Sequence, residues 1–353
     1  MIRGFKAPLL VLALMAVAVS GSSVASAAGP AHARPGSALF FPVFDAQENA
    51  TTVITVSNTN SSTFSCGNGN RNGDVFIHYV YYDSADCNEF DTTEILTPGD
   101  TLTVLPGISP SHAPDESTGW LWVEAIDPET RAAIDFDFLI GSAIVVETGS
   151  VTNFLWAYTP FVFRAIPDYG TGPSEDSACG FDFTDVNRDG FADFDATEYE
   201  EFPAFAYIDN FFAEKEDEFS NRVYFMVPEG LLNSDLFELS FRIFDNEEGQ
   251  TSHTDVISCW LGGFPLSDLT RQVQASRLGG DDTEGPDGVL TGWIEARVRE
   301  FDTRDTLGVL GVYAHEFIAG TDEYFAGHEM QFDGVADVPV RLERIGINLP
   351  PGE

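Results

Sequence analysis

The chain has 353 residues, 43% of them hydrophobic and 30 of them Phe, which argues against intrinsic disorder and supplies enough apolar surface for a sizeable core. Its 57 acidic residues against 17 basic ones leave a formal charge of −40, a field that repels nucleic acid and anionic membrane surfaces and attracts cations. Bulk acidity of this kind also suits a solvated surface in a salty medium, so specific cation sites have to be argued residue by residue.

The first element in chain order is a secretory signal at residues 1–27. Arg3 and Lys6 give a positive start, residues 9–19 are apolar but too short to span a bilayer, and Ala25-Ser26-Ala27 fits the small-residue cleavage rule. No later apolar stretch reaches the roughly 20 residues that a membrane span needs. The mature chain is therefore expected to be soluble and exported from a bacterium, to the periplasm, the cell surface or the medium. Four cysteines remain in it, and an even number in an exported protein favours disulfides. Of the three possible connectivities, proximity in sequence favours Cys66 with Cys87 and Cys179 with Cys259.

Beyond the signal the pattern is β throughout. Residues 51–60 alternate and end in turn residues, 74–83 are β-branched and aromatic, and runs at 100–106, 119–127 and 132–146 follow between Gly, Pro, Asn and Asp. The same plan then recurs. "TGWLWVEAIDPETR" (118–131) aligns without a gap on "TGWIEARVREFDTR" (291–304); 75–83 answers to 236–245, and 51–58 to 221–229, in the same order. An ordered series of matches points to duplication of one unit. The fold expected from this is all-β: two tandem duplicated antiparallel β-sandwiches, Ig-like or jelly-roll-like, at 38–150 and 201–340. A loop-rich connecting segment at 151–200 would join them.

That joint contains "DVNRDGFADFD" (185–195). A short chain can surround Ca²⁺ with six to eight oxygens only by curling, with alternate side chains pointing inward and a Gly at the sharp turn. Asp185, Asn187 and Asp189 take alternate positions, Gly190 follows, Phe191 would offer its backbone carbonyl, and Asp193 comes two residues later. This stretch resembles the calcium loops of EF-hand and dockerin modules, D-x-[DN]-x-[DN]-G, over about a dozen residues. The resemblance implies Ca²⁺ as cofactor. It departs at the last ligand position, which is Ala196, so either Asp195 or Glu198 would have to stand in.

Other candidates are weaker. His315-Glu316 and His328-Glu329 lack the H-E-x-x-H spacing of a zinc protease. They read as polar positions on half-buried strands, with a cross-strand His/Glu site as the alternative. Ser111, His112 and Asp115 crowd one loop, which is not how a triad is held. The acidic loops at 112–119 and 279–288 lack alternate spacing and read as solvated. Trp120, Trp122 and Trp293 read as core, or else as a carbohydrate platform. The leading expectation is a non-catalytic, calcium-stabilised structural or adhesive protein of the cell surface or matrix. Its partners would be calcium and surface polymers, matrix polymers or further copies of itself, with no nucleic acid and no membrane span. The alternatives are a carbohydrate-binding protein and a secreted hydrolase with a carboxylate site between the halves.

Overall fold

The computed structural model describes residues 34–61, 65–66, 71–72, 74–109, 112–113, 116–148, 153–166, 181–214, 219–228, 236–245, 248–274, 291–319 and 322–350. The signal and its cleavage site, Cys179, Ser111, Asp115 and the acidic loop at 279–288 lie outside them. Among the described residues no helix is long and apolar enough to cross a membrane.

The first half carries β1 (Ala38–Asp45), β2 (Ala50–Asn58), β3 (Ser65–Cys66), β4 (Arg71–Asn72), β5 (Val75–Asp83), β6 (Glu89–Leu96), β7 (Thr101–Val104), β8 (Thr118–Ile126), β9 (Leu139–Thr148), β10 (Asn153–Tyr158) and β11 (Phe161–Phe163). The joint supplies β12 (Phe191–Phe194). The second half carries β13 (Phe205–Phe212), β14 (Phe219–Met226), β15 (Phe237–Asp245), β16 (Gln250–Ile257), β17 (Trp260–Pro265), one helical turn α1 (Leu266–Leu269), β18 (Thr291–Glu300), β19 (Leu310–Ala319), β20 (Asp322–Glu329), β21 (Gln331–Asp333) and β22 (Val340–Glu343).

Four large antiparallel sheets result, ordered β11-β1-β8-β5-β6, β10-β9-β2-β7, β21-β13-β18-β15-β16 and β20-β19-β14-β17. They stand as four blades in a ring, an all-β propeller, which corrects the expectation of tandem sandwiches. The physical reason lies in the last sheet. On β14, Val223 and Phe225 enter the second-half core, while Tyr224 and Met226 enter the first-half core. On β19, Tyr313 faces one core, and Val312 and Ala314 face the other. A sheet buried on both faces cannot be the outer layer of an independent sandwich.

The strand orders of the two halves correspond one to one, and so do their details. Trp120 stacks on Tyr82 with ring centroids 3.9 Å apart, and Trp293 on Phe244 at 4.0 Å. The glycine before each Trp lies against the backbone of the neighbouring strand. A Cβ would fall 1.9 Å from the Tyr82 carbonyl oxygen at Gly119 and 2.1 Å from the Phe244 carbonyl oxygen at Gly292. The repeated Thr-Gly-Trp is thus a place where two backbones approach and a ring covers the gap. Gly292→Ala is expected to cost about 1–3 kcal/mol, the range for forcing atoms into packed space, read as a lower urea midpoint. Arg131 and Arg304, which end the two matching segments, both take positive φ (65° and 69°) at the same backbone turn.

The disulfide expectation is also corrected. Cys87, in the turn after β5, is bonded to Cys259, just before β17, so the bridge joins the two halves. Cys87 is therefore not the partner of Cys66.

Candidate functional site

The joint loop curls much as its spacing implies. Gly190 has φ 80°, and Asp185 accepts hydrogen bonds from the backbone N–H of Asp189 and of Gly190, both at 3.1 Å. Asn187 donates to Asp193 at 2.9 Å, Asp189 accepts from Phe191 N–H at 2.9 Å, and Glu198 accepts from Asp193 N–H at 3.2 Å. Glu198 turns inward and is fully buried, whereas Asp195 spends its carboxylate on the N–H and hydroxyl of Thr197.

The positive charge that answers these carboxylates comes from two arginines about 150 residues away in sequence. Strand β22 pairs with β12, which sets Arg341 opposite Asp193; its guanidinium bonds both Asp189 and Asp193. Arg344 reaches Glu198 at 3.1 Å, Glu124 of β8 at 3.0 Å and Asp185 at 3.7 Å, and donates to the Phe191 carbonyl oxygen. The Phe191 carbonyl and the carboxylates of Asp185, Asp189, Asp193 and Glu198, expected to meet Ca²⁺, therefore meet guanidinium. Among the described residues no group of three His, Cys, Asp or Glu side chains is placed to hold a metal ion. The calcium-binding expectation is corrected accordingly. One guanidinium faces three buried carboxylates, so not all of them ionise easily: burial outweighs Arg344 and pushes Glu198 up to about 8, and Asp185 also moves upward.

The other candidates fall out differently. His112 is buried, with Nδ1 bonded to the Tyr81 hydroxyl at 2.8 Å. Trp120 and Trp122 are fully buried and form no platform; Trp293 is 38% exposed but is covered on one side by Phe244. Glu329 turns toward the first half and accepts from the N–H and hydroxyl of Thr159, each at 2.9 Å.

His315 and His328 do come together. Antiparallel pairing sets Tyr313 opposite His328 and His315 opposite Ala326, so the two imidazoles are diagonal neighbours on one face, with centroids 5.1 Å apart. They line a cavity of about 640 Å³ where β13 parts from β14, β19 and β20. A bulge in β13 between Ile208 and Phe211 turns Asp209 and Asn210 into it, a common use of an extra strand residue. Asp209 accepts from the Tyr313 hydroxyl and, at 3.2 Å, from Gln331. Phe212, Phe219 and Phe317 complete the wall, with Phe219 and Phe317 centroids 5.0 Å apart. Burial and the neighbouring His328 push His315 down to about 4, so its ring is neutral across the physiological range. In the first half the matching bulge carries Pro42 and Val43 and is closed over: Trp260 donates to the Pro42 carbonyl at 2.8 Å and Tyr158 to that of Val43. The sequence signals for this site were the His pair and the polar Asp209-Asn210 in an otherwise apolar strand. Neither is readable as a site until register is known.

A second cleft of about 940 Å³ lies between the halves and gathers Asp45, Glu48 and Glu147 with Arg222, Tyr224 and Trp260. Arg222 bridges Glu147 at 3.1 Å and Glu316 at 3.5 Å. Burial, with Glu147 adding to it, pushes Asp45 up to about 6.

No family model matches the chain, and no curated protein does. Among solved structures, one titled "Crystal Structure of Thermotoga maritima 1070" is similar over 36% of this chain and 95% of that one, at 10% identity and a TM-score of 0.27. A likeness that slight carries no argument about fold or function.

Proposed function

We propose that this is an exported binding protein that takes an organic ammonium ion in the cavity beside His315. One observation carries the reading: the described residues lining that cavity include four aromatic rings, two carboxylates and two imidazoles, with no Lys or Arg among them. Ring faces attract cations through their quadrupole, most strongly where water is excluded. Asp209 adds a full negative charge, and the net charge of −40 draws cations toward the protein from solution. Glu316 also lines the cavity, but Arg222 shares its charge, so Asp209 is the main anion.

Choline and its neutral isostere 3,3-dimethylbutan-1-ol separate charge from shape. Calorimetric titration is expected to give choline roughly tenfold tighter binding, the size of one desolvated cation–π contact. Asp209→Asn should weaken choline by about fivefold and leave the isostere unchanged, and added salt should act in the same direction. Equal affinity for the two compounds would discard the reading. So would preferential binding of a neutral sugar.

A further inference from the structure

One residue that does not line the cavity bears on which ions it would take. Asn221 of β14 sits behind His315, and its amide orientation is fixed from three sides. Its Nδ2 donates to the Phe212 carbonyl at 2.7 Å and to Glu214 Oε1 at 3.1 Å, and its Oδ1 accepts from the Phe212 N–H at 3.1 Å. Glu214 is itself committed as an acceptor there, because the same Oε1 takes the backbone N–H of Asn221 at 2.9 Å. An amide turned the other way would set two donors against each other at Phe212 N–H and leave the Phe212 carbonyl facing an oxygen.

The consequence passes to the imidazole. His315 Nδ1 lies 3.0 Å from Asn221 Oδ1, an atom that can only accept, so Nδ1 carries the proton. Nε2 is left with the lone pair, on a ring that lines the cavity beside Phe212 and His328. We infer that the site prefers ammonium ions that retain an N–H, with His315 Nε2 as the acceptor and Asn221 as the residue that positions it. This rests on the ammonium reading above. Tetraalkyl cations satisfy the rings and Asp209 but leave that lone pair without a donor, a loss comparable to one charge-assisted hydrogen bond.

The test pairs choline with protonated N,N-dimethylethanolamine, which differs by one methyl exchanged for one N–H. On the full mature chain, the tertiary amine is expected to bind roughly tenfold tighter than choline. His315→Phe, which keeps a ring, should erase that difference while both compounds still bind. Nitrogen-15 NMR of the imidazoles should find the Nδ1–H form of His315. Equal binding of the two amines, a preference for the tertiary amine that survives His315→Phe, or an Nε2–H tautomer overturns the inference while leaving the ammonium reading in place. Absence of binding by both compounds overturns the ammonium reading, and this inference with it.

Discussion

Replacing Cys87 and Cys259 together with alanine is expected to remove about 4 kcal/mol of stability, toward the upper end for a single disulfide. The bond spans 172 residues of chain, and the entropy that a cross-link takes from the unfolded state grows with the length of loop it closes. It also ties the end of a first-half hairpin to a second-half strand, so its loss frees motions that a bond within one half would leave untouched. Cys259 is 1% exposed, and alanine avoids leaving a buried hydroxyl in its place. The measurement is urea unfolding of the oxidised protein and the double variant. A loss below about 1 kcal/mol would mean that the shared core already restrains the two halves as tightly as the covalent bond does.

Arg344→Met should be comparably damaging, at about 3–5 kcal/mol near neutral pH. The guanidinium is nearly buried and serves Glu124, Glu198 and Asp185, and it also donates to the Thr184 hydroxyl oxygen at 3.2 Å. Removing it leaves carboxylates in a low-dielectric setting with no counter-charge. Their only relief is to bind protons, so the deficit should be large near pH 9 and shrink toward pH 5. The wild type has a smaller dependence of the same sign. Glu198 titrates at about 8 in the folded chain against a usual value of 4.5, so its contribution is fully present below about pH 4.5 and is lost as pH rises through 8. Glu198→Gln, neutral at every pH, should match the wild type below about pH 4.5 and exceed it increasingly as pH rises toward 8. A deficit in Arg344→Met that does not change with pH would show that the side chain's packing, not its charge, holds the joint.

The legible and illegible parts of this protein divide by range. The correspondence of the two halves was readable because Thr-Gly-Trp marks a backbone approach that both need at Gly119 and Gly292. The curl of the joint loop was readable too, because its Asx hydrogen bonds are local and Gly190 supplies the positive φ. What answers the loop's charge was not: Arg341 and Arg344 reach it only through the pairing of β12 with β22. The sheet arrangement had a signal that alternation masked. "VYFMV" at 223–227 runs apolar without a break, as strands with two covered faces do, and it lies in the sheet that overturns the sandwich. The cavity depends on a bulge, and a bulge is a property of two strands that neither announces alone.

The sheet of β14 and β19 gives the molecule one further property. Its alternate residues are the wall of both interiors, so a fluctuation that loosens one interior unseats side chains of the other. The two halves have in this way no separate melting: neither keeps a complete interior without the other. Whatever fills the cavity at the rim of the second interior therefore adds its binding free energy to the whole ring, since mass action stabilises every part that opens only together. Trp120, buried in the opposite half, then serves as a distant reporter of that occupancy, through the temperature at which its surroundings come apart.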